Sequence, residues 1–491
     1  MRRRLDRLPG KFITGIFLLV VIAFLGFLFY TGLIPEKYLI LGGGILLLFT
    51  ILIGYLVWKL HHTVRFAAGT LLAIILTAGM AVAGMYLYRT TSTLNAISNI
   101  RTEVANVAVY VRAEDGAQSV NDAADYTFGF LQNLDRDNTV KVLGELEDEL
   151  DIHLATMEFE GLTQLADGLK NDEAQAIVLN QAYLDVLTEM EGYESFESEV
   201  REISVKKIEQ KSEEKETIHA EKTTSGNKQG MLFTIYISGI DTRENVIANS
   251  RSDVNILACV NTATRQILLL STPRDYFIPL SISKGVPDKL THAGIYGVDV
   301  SKDTLAMLYD TTINYYFRIN FSGFEAIIDA LGGIEVNSDY EFDSMNIEGY
   351  HFNQGVNYLS GEEALIFSRE RYAFSEGDRQ RGRNQMAVIT GVIKKALSPD
   401  LLKNYSSVME GIEGSFETDM PYSIISSLVK EQLSEGGDWN VVSYSVDGTG
   451  DTQVPYSMSV GAYVMVPDYT TVDKAKELIA QVYNNEQITL D

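Results

Sequence analysis

Three long apolar stretches in the first ninety residues set what this chain can become: Phe12 to Leu33, Tyr38 to Trp58 and Phe66 to Tyr88. Each runs about 20 residues almost without charge, the length a helix needs to cross ~30 Å of hydrocarbon. The first could instead be a cleaved leader with Arg2, Arg3, Arg4 and Arg7 as its basic head. Its apolar run is too long for such a segment, no small-residue cleavage site follows, and two more spans come after it. The pattern predicts three membrane helices within residues 1–90.

Basic residues give the orientation. Arg2, Arg3, Arg4, Arg7 and Lys11 precede the first span, and Lys59, His61, His62 and Arg65 lie between the second and third. The intervening loop offers only Glu36 and Lys37. Positive residues stay inside, so the N-terminus is expected in the cytoplasm and everything after Tyr88 outside the cell. Most of the acidic excess behind the net charge of -26 falls in that exterior portion. Such a surface opposes the phosphate neutralisation on which nucleic-acid binding rests, so no nucleic-acid partner is expected. The single cysteine, Cys259, excludes an intramolecular disulfide, and its apolar setting reads as a buried, inert thiol. A large exterior region without disulfides suits a Gram-positive surface.

The exterior part divides by composition. Residues 91–204 mix strand-like runs (Val107 to Val111, Ala176 to Leu179) with helical ones (Asp137 to Glu149, Ala182 to Glu199), which reads as a small α/β accessory module without a catalytic constellation. Residues 205–230 are polar and read as a linker. From Met231 onward, Leu232 to Ile237, Asp253 to Val260 and Gln266 to Thr272 are apolar at nearly every position, as buried central strands are. Ser322 with Glu325, and Ser360 with Glu363, have capping-box spacing before helical runs. Further helices are expected over Gly382 to Leu397, Asp400 to Glu413 and Pro421 to Glu435. Residues 231–491 are therefore expected to form an α/β domain, a mixed central sheet flanked by helices.

The most unusual local feature is Arg369-Glu370-Arg371 followed by Asp378 to Gln385, which puts five arginines within fifteen residues of an otherwise acidic domain. One reading is a solvated face whose arginines pair with Glu370, Glu376 and Asp378. The other is an anion site, because Arg stands at all five positions and a planar guanidinium binds phosphate oxygens in pairs as an ammonium cannot. Arg251 and Arg274 lie at predicted strand ends, where ligands of α/β sheets commonly bind. Asp241 and Asp253 flank the same strands. Either they hold Mg²⁺ against a pyrophosphate, or each simply pairs with a neighbouring arginine. His292 could be a base or a ligand; without a second His or Cys at ligand spacing, a hydrogen-bonded structural histidine is the simpler reading. No Walker loop, Gly-x-Ser-x-Gly elbow or paired-cysteine motif is present.

The ordered strings Ser238-Gly239-Ile240-Asp241, Ser250-Arg251-Ser252-Asp253, Thr272-Pro273-Arg274-Asp275, Lys289-Leu290-Thr291-His292-Ala293, Leu331-Gly332-Gly333-Ile334, Arg369-Glu370-Arg371 and Asp378 to Gln385 resemble the LytR-CpsA-Psr family. The resemblance is dense from Phe233 to Leu397, and the three spans with an accessory module are similar to its capsule-associated CpsA type. It implies a phosphotransferase that moves a phosphate-linked glycan, here capsular polysaccharide, from undecaprenyl pyrophosphate to a peptidoglycan hydroxyl, with capsule-synthesis proteins as further partners.

By matching motif, Arg251, Arg274, Arg369, Arg371, Arg381 and Gln385 would contact the pyrophosphate, with Lys289 as a further contact. Asp241 and Asp253 would hold Mg²⁺ or Mn²⁺. Arg274, Arg369, Arg371 and Asp378 would act in catalysis, and Asp275 or Asp378 as base or orienting group. Arg379 and Arg383 interleave with these positions and would face outward. Leu305 to Leu308, Phe324 to Leu331 and Ala387 to Ile393 are candidates for a polyprenyl groove, with core packing as the alternative. Two other functions stay open: a polyprenyl pyrophosphate hydrolase, and a non-catalytic surface protein that senses lipid-linked glycan.

Overall fold

Helices that are apolar around their whole circumference have no polar face to give to water, and the first three are of this kind. The computed structural model describes residues 8–58, 63–97, 102–211, 219–240, 249–398 and 415–490. In it, α1 (Leu8–Thr31), α2 (Glu36–Leu56) and α3 (Thr63–Ile97) are each long and apolar enough to cross a membrane. Gly32 takes a φ of +65°, a left-handed conformation cheap only for glycine, and turns the chain out of α1 before Pro35 starts α2. Phe17, Val21, Ile53, Val57, Ala73 and Met80 are buried between these helices. The basic leader and most of the basic loop before α3 lie outside the described residues.

The chain forms two compact units, and the first holds more than these three helices. The helix Tyr422–Glu435, expected in the C-terminal domain, belongs to the same unit. There the Tyr422 hydroxyl donates to the Thr31 carbonyl at 2.7 Å, and Lys430 lies 3.7 Å from Glu36. The helix expected over Asp400 to Glu413 lies outside the described residues.

The second unit carries two mixed sheets. The accessory sheet is built from β1 (Thr102–Arg112), β2 (Thr127–Leu131), β3 (Ala155–Phe159), β4 (Ala176–Asn180) and β5 (Val200–Lys211), in the order β3-β2-β4-β1-β5. Helices α4 (Arg136–Leu150), α5 (Leu162–Lys170) and α6 (Gln181–Thr188) accompany it. The helix expected over Ala182 to Glu199 ends at Thr188, because Gly192 takes a φ of +87° and the chain turns before a single turn at Phe196–Glu199.

The expected linker is largely strand. Residues 200–211 form β5, an edge strand antiparallel to β1, and β6 (Glu221–Ser225) forms a hairpin with the start of β7 (Lys228–Ile240). A strand open to water on one face takes polar residues there, which is why this segment reads as linker from composition. Residues 212–218 lie outside the described residues.

The larger sheet continues with β8 (Ser252–Asn261) and β9 (Gln266–Ser271), followed by α7 (Val298–Tyr309), β10 (Tyr315–Asn320), α8 (Phe321–Ala330), α9 (Gly361–Arg369), α10 (Asp378–Ala396), β11 (Phe416–Thr418), β12 (Asn440–Ser445) and α11 (Tyr469–Tyr483). Its order is β11-β10-β7-β8-β9-β12, with β10 parallel to β7, β12 parallel to β9 and the other neighbours antiparallel. Tyr236, Leu257, Cys259, Leu268 and Leu270 on one face pack against Leu305 and Tyr309 of α7 and Leu478 and Val482 of α11. Leu305 is thus core on this side and lines no groove.

The opposite face faces α8 and α10 and is not closed. Ile235, Ile237, Phe317 and Ile319 stay half-buried although they sit on interior strands, and so do Phe324, Ile327 and Ile389 on the helices. Two helix starts differ from the sequence reading. The cap of α8 is Asn320, whose side chain accepts from Gly323 N at 2.8 Å, while Ser322 is exposed in the first turn. Helix α10 begins at Asp378, one turn before Gly382, so the arginine string is helical. The Ser360–Glu363 capping box is present as expected.

Candidate active site

The site is assembled at one end of the sheet. Antiparallel pairing of β8 with β9 brings the start of one beside the end of the other, so Arg251, just before β8, and Arg274, three residues past β9, emerge together. A short hairpin pairs Phe277 with Lys289 and returns the lysine to the same place. Thr291 N donates to the Arg274 carbonyl at 2.8 Å and fixes that loop.

Around Arg274 the charges interlock. Its Nη1 donates to Asp253 Oδ1 at 2.8 Å, its Nη2 lies 3.4 Å from Glu189 Oε1, and its Nε lies 3.6 Å from Asp275 Oδ2. Lys289 Nζ donates to Glu189 Oε2 at 2.9 Å and sits 3.5 Å from Asp275 Oδ1. Arg251 pairs with Glu189 Oε1 and approaches Asp185 at 3.7 Å. Lys289 is only 5% exposed and Arg274 15%, so water screens these pairs poorly. Burial alone would raise the Asp253 pKa, but Arg274, Arg381 and Arg251 together hold it below the usual carboxylate range. For Glu189 burial also acts upward, and Lys289, Arg251 and Arg274 overcome it, holding the carboxyl at about 2.

Glu189 comes from the accessory module, directly after α6, in a stretch with no visible catalytic pattern. Its partners are 62, 85 and 100 residues away in sequence. Only the packing of the two sheets in one unit brings it there: Leu187 and Met190 are buried in a cluster that also holds Ile295, Met458 and Ala462.

The second group of arginines lies on α9, α10 and the loop between them. Arg369 ends α9 with its guanidinium 4.2 Å from the centre of the Phe321 ring, and Arg371 stacks on Tyr372 at 4.6 Å. Glu370 between them is not the solvent-exposed partner that the solvated-face reading expects. It is fully buried and accepts from the backbone N–H groups of Met345, Asn346, Arg371, Tyr372 and Ala373 and from the Ser344 hydroxyl. Five peptide donors on one carboxylate fold the loop that carries Arg371.

Arg381 sits in the first turn of α10, where a positive side chain opposes the helix dipole. Asp378 offsets it at 2.5 Å, and Arg381 also acts electrostatically on Asp253, which ties this helix to the strand-end group. Gln385 follows one turn later on the same side, half-buried. The other two face outward: Arg379 pairs with Asp447, and Arg383 with Glu376. Gly382 lets α10 approach the sheet end, since a Cβ there would meet the Ser271 hydroxyl at 3.2 Å.

The LytR_cpsA_psr family model matches residues 198–480, more than half of the sequence. The chain belongs to the LytR-CpsA-Psr family. Among its relatives, the polyisoprenyl-teichoic acid–peptidoglycan teichoic acid transferase TagU of Enterococcus faecalis is 33% identical over 223 residues, 45% of this chain and 72% of that protein. TagU of Bacillus cereus is 32% identical over 254 residues, 51% and 78% respectively. The solved structures of Bacillus subtilis TagV (24% identity, TM-score 0.43, covering 52% of this chain and 98% of that one) and TagU (24%, 0.41, 53% and 99%) are similar in fold.

Within this LytR-CpsA-Psr chain, then, Arg251, Arg274, Lys289, Asp253 and Asp275 form one group, and Arg381, paired with Asp378, lowers the Asp253 pKa without an ion pair to it among those described. Arg369 and Arg371 are held separately on their rings. Among the described residues no three His, Cys, Asp or Glu form a metal cage. Asp241 lies outside the described residues, and β7 ends at Ile240, paired with Ser252 next to Asp253. Mg²⁺ at a phosphate site needs only one or two carboxylates beside phosphate oxygens and water, a donor set that Asp253 suits. His292 is fully buried, with Nδ1 2.7 Å from Asp288 Oδ1 and 2.8 Å from the Ser457 hydroxyl, as a structural histidine is. Cys259 is buried too, and burial pushes its thiol up to about 12.

Proposed function

We propose that the chain is a glycopolymer transferase of the extracellular face, moving a phosphate-linked glycan from a polyprenyl diphosphate to peptidoglycan, with capsular polysaccharide as the glycan. The observation that carries this is the convergence of Arg251, Arg274 and Lys289, with Asp253, at the sheet end of a chain whose relatives are named teichoic acid transferases. Phosphoryl transfer needs charge neutralisation and in-line positioning more than covalent help, and such a pocket supplies both.

In the reaction an acceptor hydroxyl oxygen attacks the glycan-bearing phosphorus. The bond from that phosphorus to the bridging oxygen breaks, and its electron pair leaves with polyprenyl phosphate. Arg274, Arg251 and Lys289 hold the diphosphate oxygens, with Arg381, Gln385, Arg369 and Arg371 closing the site from the helices. Asp378 or Asp275 takes the hydroxyl proton. A Mg²⁺ or Mn²⁺ held by Asp253 and Asp241 would add neutralisation of the phosphates when bound. The half-buried apolar face under α8 and α10, with Ile235, Ile237, Phe317 and Ile319, offers a place for the prenyl tail.

The test is to incubate the whole chain in detergent with Mg²⁺, a lipid-diphosphate oligosaccharide and peptidoglycan fragments, and to follow products by mass spectrometry. A phosphodiester conjugate that disappears with Arg274→Ala is the expected result. Lipid phosphate released equally without acceptor would instead make it a hydrolase, and binding without turnover would make it a sensor.

A further inference from the structure

The cationic pocket is already filled by a carboxylate that belongs to another module. Both oxygens of Glu189 are engaged, Oε1 by Arg251 and Arg274 and Oε2 by Lys289. The donors best placed for a diphosphate are therefore turned on Glu189. Counting the interlocked groups, three cations (Arg251, Arg274, Lys289) meet four carboxylates (Asp185, Asp253, Asp275, Glu189), a balance of −1. Without Glu189 the same group is neutral, and the Arg251, Arg274 and Lys289 nitrogens that face Glu189 are released. A net-negative, internally bonded pocket disfavours a multiply charged anion, whereas the vacated one offers it three converging cationic donors.

We propose that Glu189 is an internal competitor for the diphosphate site: the accessory module places a carboxylate where phosphate oxygens bind, and the lipid diphosphate enters by displacing it. This rests on the reading of the pocket as a diphosphate site. Displacement requires no movement of the accessory sheet. Glu189 follows α6, whose end is fixed by buried Leu187 and Met190 and by Tyr183 packed edge-on to Tyr296 at 6.3 Å between ring centres. From that anchored backbone the glutamate side chain can swing away by rotation about its own bonds, on the time scale of rotamer changes rather than domain motion. The module then sets a threshold for occupancy, because apparent affinity falls by the fraction of molecules whose pocket is vacant. It also keeps the buried cations paired in the absence of substrate.

The experiment is a calorimetric titration of the whole chain in detergent with inorganic pyrophosphate at low salt, comparing the unaltered protein with Glu189→Gln, which keeps the shape and removes the charge. The expected result is binding at least about tenfold tighter in the variant, as for a pocket vacant in fewer than one molecule in ten. A merely structural role predicts the opposite sign, since loosened arginines would bind more weakly. Glu189→Asp, which retracts the carboxylate by one methylene, should tighten binding to a smaller extent and serves if Glu189→Gln does not fold. Binding to the unaltered chain with equal or weaker binding to the variants overturns the competition and leaves the diphosphate reading intact. No binding to any form at millimolar pyrophosphate removes the diphosphate site and the competition together.

Discussion

Two groups of arginines serve this molecule, and they are held in different ways. At the sheet end, Arg251 and Arg274 are half-buried among acids from three parts of the chain, each cation sharing a carboxylate with another. On the helices and the loop between them, Arg369 and Arg371 lean on aromatic rings while Arg379 and Arg383 make exposed ion pairs. Apart from the buried Arg381, the denser arginine string in sequence is thus the looser one in space. A buried charge network is costly to break because each partner left behind is unpaired, whereas an exposed pair contributes little. The two groups should therefore respond to mutation on different scales.

The sharpest contrast is expected from Arg274→Ala. Removing the shared partner of Asp253, Asp275 and Glu189 should lower transfer by about a hundredfold or more, in line with loss of a preorganised charge donor. It should also lower stability by about 3 kcal/mol. Product yield by mass spectrometry and thermal unfolding check the two effects. Next comes Glu370→Ala, which leaves five backbone donors without their acceptor and should cost about 2–3 kcal/mol. Faster amide exchange at Met345, Asn346 and Tyr372 would localise the loss.

A pH series sharpens the comparison further. The Glu189 carboxyl is held at about 2 against an ordinary 4.5, so it is depressed in the folded state. Its contribution to stability is complete above pH 4.5 and is lost as the pH falls towards 2. The stability difference between the unaltered chain and Glu189→Gln should therefore be constant from pH 7 down to 4.5 and shrink below it. The smallest effects are expected for Arg379→Ala and Arg383→Ala, at most about 1 kcal/mol in stability and about threefold in transfer rate. A large loss at either position would erase the distinction between the two groups.

Much of this could be read before the structure was in view, and the reasons are physical. Membrane helices and the buried strands β7 to β9 announce themselves because every position must be apolar. The Ser360–Glu363 cap is legible because its two partners are three residues apart. Three features escaped for the converse reason. Strand β5 and the β6 hairpin look like linker because their exposed faces are polar. Glu370 looks like an ion-pair partner because its backbone donors carry no side-chain signature. Glu189 shows nothing at all, since its partners lie 62 to 100 residues away and only the meeting of two sheets joins them.

If the strand-end group, rather than the outward-facing helix arginines, binds the diphosphate, the two kinds of arginine separate in a single titration. That titration is the affinity of the whole chain for inorganic pyrophosphate in Arg274→Ala and in Arg379→Ala, side by side. Arg274→Ala is expected to lose binding while Arg379→Ala retains it. Retention by Arg274→Ala together with loss in Arg379→Ala would contradict that assignment.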